Sequence, residues 1–211
     1  MDHVTINAVE DYKGAGLPRN AEAVLLIETD GNAKAAREEA ERIISLCEKA
    51  GAKVRHADDP REREKIWEGR RAALPALTRI KPNTQPTTLL EDATVPRSEV
   101  PEMVAEIKRI SEKYSLLVGV FGHAGDGNLH PTFLTDMRDA VEMKKVEKAA
   151  EEIFEAALRL GGTLSGEHGI GAAKSKYLEK EVGSKGIEVM RTLNSSLDPN
   201  NILNPGKVLP L

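Results

Sequence analysis

Leu116-Leu117-Val118-Gly119-Val120-Phe121-Gly122-His123-Ala124-Gly125-Asp126-Gly127-Asn128-Leu129-His130-Pro131-Thr132-Phe133-Leu134 is an apolar run, a glycine-rich turn with a histidine on each side, and a second apolar run. Two short apolar segments joined through Asp-Gly read as a β-hairpin, because that pair tolerates the positive φ angles of the tight turns that match strand twist. With Asp126-Gly127 as the loop, Gly125 pairs with Asn128, Ala124 with Leu129, and His123 with His130. Residues opposed in this way hold their Cβ atoms roughly 4.5–5.5 Å apart. Both imidazoles then reach one ion bound at about 2.0–2.1 Å from each nitrogen.

Outward from the hairpin, the periodicity predicts alternating elements. Glu22 to Thr29 reads as a buried strand, residues 31–50 as a helix stopped by Gly51, and Lys53 to Ala57 as a second strand. Pro60 to Leu77 reads as a helix, with Pro75 kinking or ending it. A strand over Thr87 to Val95 follows, then a helix from Ser98, its N-cap, to Tyr114. After the hairpin a helix covers about Arg138 to Leu160 and stops at Gly161-Gly162. The order β-α-β, then α-β-α-β-β-α-β, predicts an α+β fold built of ferredoxin-like units, a largely antiparallel sheet with helices covering one face. Residues 1–20 are polar, contain Gly14, Gly16 and Pro18, and read as a loosely held arm. Residues 21–195 form the body, and residues 196–211, rich in turn formers with spaced aliphatics, read as a docking tail.

Composition narrows the function classes. Of the 211 residues 40% are hydrophobic, enough for a core, and 30% are charged with a net charge of only −4. The charges are interleaved, so no basic stripe marks a nucleic-acid partner. The single cysteine, Cys47, excludes an internal disulfide and a cysteine metal cage, and is expected to pack as a buried thiol. No apolar stretch approaches the ~20 residues of a membrane span, and the start Met1-Asp2-His3-Val4 is not a signal peptide, so a cytoplasmic location is expected.

The chemistry-bearing residues gather in two segments. Imidazoles of His123 and His130 with a carboxylate oxygen from Glu167, in Ser165-Gly166-Glu167-His168-Gly169-Ile170-Gly171, make a two-histidine, one-carboxylate divalent-metal site with open positions. Of the adjacent Glu167 and His168, one binds metal and the other remains as a general base. The alternative is a pair of hydrogen-bonded cross-strand histidines beside a plain turn. Asp126 is more simply a turn residue than a further ligand. Arg70, in Trp67-Glu68-Gly69-Arg70-Arg71, offers either a guanidinium fork for a substrate carboxylate or a solvated helix face. Asn204 and Lys207 in the tail suit a phosphate or cofactor ring as well as a turn. Neither a phosphate loop nor a Gly-x-Gly-x-x-Gly turn is present.

The Gly122–Pro131 turn, the Ser165–Gly171 segment and Leu197-Asp198-Pro199 through Asn204-Pro205-Gly206-Lys207, with Trp67–Ala76 and Asp92–Arg97 upstream of them, carry a resemblance. Together they resemble the C-terminal part of FAD-linked 2-hydroxyacid oxidases and dehydrogenases, of the glycolate oxidase FAD-subunit and bacterial D-lactate dehydrogenase type. The resemblance implies Zn or Mn held by His123, His130 and Glu167, His168 as the base, Arg70 as the carboxylate clamp and Asn204 near the flavin. It further implies a flavin-binding domain of roughly two hundred residues that this chain lacks, so that the chain is the substrate-and-metal cap domain and is inactive alone. Relatives acting on D-2-hydroxyglutarate carry a lysine just before the strand's aspartate and an asparagine two residues after the second histidine, where Leu90-Glu91-Asp92 and Thr132 stand here, which favours a small monocarboxylic acid such as D-lactate or glycolate. Separation from a flavin domain would leave an apolar patch, a mobile tail and a tendency to self-associate. Two other readings stand beside this one: an independent metal-dependent hydrolase using His123, His130 and Glu167, and a non-catalytic assembly module.

Overall fold

The structure, a computed structural model, describes residues 1–87 and 92–209. Its centre is an antiparallel sheet in which β4 (Asn128–Thr135) pairs along one side with β3 (Val118–His123). Along the other side it pairs with β1 (Gln85–Pro86) and β2 (Ala93–Thr94). Strand alternation divides the sheet into two faces. Val118, Val120, Leu129 and Phe133 point into a core closed by α5 (Val100–Tyr114) and α6 (Ala140–Arg159). Met103, Ile107 and Ile110 at helical spacing on α5 meet Val146, Ala149, Ala150, Ile153 and Phe154 of α6, all at 0–1% exposure. Full burial of each large side chain contributes about 1.5–3 kcal/mol.

The opposite face carries Leu117, Phe121 and Leu134, against which α1 (His3–Tyr12) and α4 (Ala73–Leu77) pack. Gly119 sits under Leu77, where a Cβ would stand 2.5 Å from Leu77 Cδ2, so the α4 approach depends on this glycine. The expected α+β class holds, with helices on part of the second face as well. Residues 1–20 are not a loose arm. Asp2 caps α1 by accepting from Thr5 N–H, and Ile6 and Val9 are fully buried. Four apolar residues at i, i+3 and i+4 spacing had marked no long run, yet one buried turn suffices to fasten the helix.

The expected strand over residues 22–29 finds little pairing. Asp2 N–H and the Thr5 hydroxyl both donate to Val120 O, so the start of α1 occupies the outer edge of β3. The 22–29 segment finds its backbone pairing on this intruder: Met1 N and Val24 O, and Val24 N–H and Met1 O, exchange bonds around an Asp2–Ala23 bridge. Leu25 and Ile27 are left exposed. Residues 53–57 likewise run without a ladder. Between them α2 (Ala33–Lys49) is capped by Asn32 but has no buried residue, so Cys47 is half-buried and not the interior thiol expected.

Other boundaries shift for local reasons. Helix α3 (Pro60–Arg71) begins with Asp59 accepting from Arg61 and Glu62 N–H, and Pro75 lies inside the separate α4. Ser98 makes no N-cap bond; its hydroxyl goes to Glu99, and a short 3-10 turn precedes α5. The strand expected over Thr87 to Val95 reduces, where described, to β2 and its flanks; residues 88–91, including Leu90, lie outside the described residues. A strand after α6 shrinks to one bridge between Thr94 and Thr163. The chain ends with α7 (Leu178–Leu197), which has a non-helical Gly183 and only Leu178 buried. Its apolar Val189, Leu193 and Leu197, with Ile202 and Leu203 beyond, are exposed.

Candidate active site

The hairpin closes differently from the two-residue turn. Ladder pairs run His123 with Asn128, Gly122 with Leu129 and Phe121 with His130, leaving Ala124 to Gly127 as a four-residue loop. Its turn bonds are Asp126 N–H to His123 O at 3.0 Å and Gly127 N–H to Ala124 O at 3.3 Å. Only Gly127 takes a positive φ, +72°, and its carbonyl accepts from Val95 N–H at 3.0 Å. Docking the loop tip on β2 thereby selects the longer loop over the local Asp-Gly preference. His123 and His130 are therefore diagonal neighbours. They still share a face, because His130 lies two residues beyond His123's partner, and their rings meet edge-on with centroids 5.4 Å apart.

Around these two rings the fold gathers side chains from distant segments. Glu167 Oε1 lies 3.1 Å from His130 Nε2, 3.8 Å from His123 Nε2 and 3.0 Å from Asn128 Nδ2, which donates to it. Asn128 is itself held by Thr94 Oγ1, which donates to its Oδ1 at 2.8 Å. His168 stacks on His130, with centroids 5.4 Å apart and planes at 26°. Arg70, at the end of α3, lies 5.0 Å over the Phe121 ring and donates to Gly122 O at 3.4 Å. Burial lowers the Arg70 pKa and the Glu167 charge opposes that shift. The guanidinium remains a cation at neutral pH. Asn204 is exposed on a turn whose carbonyl accepts from Lys207 N–H; Val208 N–H then bonds Gly171 O at 2.7 Å, which ties the tail to the Glu167–His168 loop. His3 and His56 lie on the surface.

Asp92 is the residue the sequence reading overlooked. It lies one position before β2, whose Ala93 pairs with Leu129, and is fully buried. Its Oδ2 accepts from Ser165 Oγ (2.8 Å), His168 N–H (3.0 Å) and Lys174 Nζ (3.3 Å). Its Oδ1 lies 2.6 Å from His168 Nδ1 and 3.6 Å from His130 Nδ1. Neither approach is aligned as a hydrogen bond, which leaves Oδ1 a buried acceptor without one. Burial pushes the Asp92 carboxyl pKa up. The bonds from Ser165 and His168 N–H and the charges of Lys174 and His168 outweigh that and hold it below the usual carboxylate value. Lys174, equally buried, also donates to Leu164 O at 3.0 Å. The signal was the alternation Asp92-Ala93-Thr94-Val95: a strand that buries Ala93 and Val95 in the core turns Asp92 and Thr94 toward the histidine face.

Ligand atoms of Asp92, His130, Glu167 and His168 all lie within 4.8 Å of one another. Imidazole nitrogens and carboxylate oxygens gathered in this way fit a divalent cation. A cleft of about 640 Å³ beside α7 is lined by Glu179, Arg191 and neighbours and includes no member of this cluster. Converging titratable groups, and not that cleft, mark the site.

The family model for FAD linked oxidases, C-terminal domain, matches residues 1–208. The chain belongs to that family. It is 50% identical to the glycolate oxidase subunit GlcD of Bacillus subtilis (strain 168), over 99% of this chain and 44% of that protein. It is 40% identical to the same subunit of Escherichia coli (strain K12), over 100% of this chain and 42% of that protein. A mitochondrial D-lactate dehydrogenase (cytochrome) of Arabidopsis thaliana is 32% identical, over 100% of this chain and 36% of that protein. This family domain thus spans less than half the length of these relatives. Its fold is similar to part of a 4-ethylphenol oxidase from Gulosibacter chungangensis, at a TM-score of 0.53 and 17% identity over 82% of this chain and 38% of that one. Among the described residues no helix is long and apolar enough to cross a membrane.

Proposed function

We propose that this C-terminal domain is the substrate- and metal-holding half of an FAD-dependent dehydrogenase or oxidase of a small 2-hydroxy acid, D-lactate or glycolate. The observation that carries the reading is the convergence of His123, His130, Glu167, His168 and Arg70 on one sheet face, from segments up to about a hundred residues apart. His123, His130 and Glu167 would hold the divalent ion, Zn or Mn. When bound, the ion acidifies the substrate hydroxyl and a flavin supplied by a partner domain accepts the hydride. Arg70, braced on Phe121, receives the substrate carboxylate in its planar fork. His168 takes the hydroxyl proton, so the acid loses one proton to imidazole and one hydride to the acceptor and leaves as the 2-oxo acid. Thr132, buried on the His130 face with its hydroxyl toward His130 O, presents no cation or amide for a second substrate carboxylate. The tail, residues 196–211 with Asn204 on its turn, would dock on the flavin domain. Its exposed Leu197, Ile202 and Leu203 support that role and would favour self-association when uncovered.

The test joins this chain to a flavin-binding domain of a relative and follows dye reduction with D-lactate and glycolate. Turnover that needs added Mn or Zn and falls by 10²–10⁴-fold, the range for a positioned acid–base group, in His168→Ala supports the reading. Absence of turnover in a flavin- and metal-loaded assembly, or ester hydrolysis by the metal-loaded chain alone, would overturn it.

A further inference from the structure

We propose that Asp92 is a positioning residue that fixes the tautomer of His168, and with it His130, by presenting one buried carboxylate oxygen to both ring Nδ1 atoms. The inference rests on the reading of His168 as the base. Its two oxygens face different worlds. Among the described residues Oδ2 meets donors: the Ser165 hydroxyl, the His168 N–H and the Lys174 ammonium. Among the described residues Oδ1 faces imidazole, 2.6 Å from His168 Nδ1 and 3.6 Å from His130 Nδ1. A carboxylate oxygen beside Nδ1 favours the ring form protonated there, which leaves the Nε2 lone pair unprotonated. For His168 that lone pair is the atom that takes the substrate proton; for His130 it is the atom 3.1 Å from Glu167 Oε1, where the ion would bind.

The carboxylate can stand in this place because its charge is answered. Lys174 is as buried as Asp92, and its ammonium divides itself between Asp92 Oδ2 and Leu164 O. The same three donors pin the loop that carries Glu167 and His168. Asp92 therefore sets the height of the loop through Oδ2 and the sense of the rings through Oδ1.

This division predicts what an amide would do. In Asp92→Asn the amide oxygen must take the Oδ2 place, because all three donors lie there. The NH₂ then occupies the Oδ1 place and donates to Nδ1, and the rings flip to the Nε2-protonated form. Both the base and the metal-facing lone pair would be lost without a change in shape. Because removing one member of a buried ion pair endangers folding, the companion variant is Asp92→Asn with Lys174→Met, which removes both charges together.

The experiment uses the metal-free 211-residue chain, ¹⁵N-labelled at histidine, at about pH 8.5, roughly two units above an unperturbed imidazole pKa. Long-range ¹H–¹⁵N correlation identifies which ring nitrogen of His168 carries the proton. Nδ1–H in the wild type and Nε2–H in the double variant, together with a 10–100-fold weaker Mn²⁺ affinity by calorimetry, the usual effect of losing an outer-shell partner, is the expected result. Nε2–H in the wild type, or an unchanged His168 tautomer in a folded double variant, overturns it. The tautomer is read without metal or substrate. A wild-type chain that shows Nδ1–H but binds no Mn²⁺ would thus refute the metal reading while leaving the positioning role standing.

Discussion

Gly127→Ala probes the joint on which the site's geometry turns. Gly127 holds φ at +72°, and a Cβ there would stand 1.9 Å from Val95 O, a backbone atom of the β2 segment. Contact distances under 3.0 Å are essentially never adopted by real Cβ atoms, so β2 and the loop tip must separate by more than 1 Å. The left-handed backbone costs a non-glycine residue about 1–2 kcal/mol. Separation also breaks the bond from Val95 N–H to Gly127 O and strands a buried donor, at about 1–3 kcal/mol. The expected loss is roughly 2–5 kcal/mol, or about 5–15 °C in Tm for a chain of this size. Gly125→Ala is the control on the same loop, because its Cβ would meet nothing within 4 Å and its φ is not positive. That variant should stay within about 0.5 kcal/mol of the wild type. Urea melts followed by circular dichroism measure both. Equal midpoints for the two variants would refute the docked-loop geometry and, with it, the register that places His123 and His130.

Three further outcomes are expected. Asp92 titrates below its ordinary value in the folded chain, so its contribution to stability is present above about pH 3.9 and is lost as pH falls through the lower folded value. Urea midpoints across pH 2–6 should therefore fall on the acid side more steeply for the wild type than for the Asp92→Asn, Lys174→Met variant, and parallel curves would contradict this. Adding Mn²⁺ or Zn²⁺ at 100 times its Kd should raise stability by about 2.7 kcal/mol, reversibly with chelator, and His130→Ala should abolish the rise; an unchanged melt at millimolar metal would remove the ion from the site. Phe154→Ala, in the core between α5, α6 and the sheet, should cost about 3–5 kcal/mol, whereas exposed Leu193→Ala on α7 should cost under about 0.5 kcal/mol. A large loss at Leu193 in dilute solution would show that α7 is covered by another copy of the chain.

Sequence periodicity revealed α5 and α6, which bury one stripe each, but not α1, read as an arm, or α7, which buries only Leu178. It served the hairpin strands equally well, and the two histidines, Glu167, His168 and Arg70 do come together. What it misjudged depended on contacts between distant segments. Glu22 to Thr29 has strand composition, but α1 takes the sheet edge it needed. Asp126-Gly127 has the residues of a two-residue turn, but Val95 draws Gly127 into a longer loop. Strand alternation could put Asp92 on the histidine face, but its role depends on Lys174, Ser165 and His168, more than seventy residues away in the chain.

One bond gives the end of the chain a mechanical sense. From Ser184 to Leu197 no residue of α7 is buried, yet the segment is anchored at both ends, by Tyr177 and Leu178 before it and by Val208 N–H on Gly171 O after it. It is a handle, held at both ends and with no fully buried residue between them. The Gly171 end of that tie sits four residues from Glu167, so the tail and the loop that carries the carboxylate and the imidazole share one attachment.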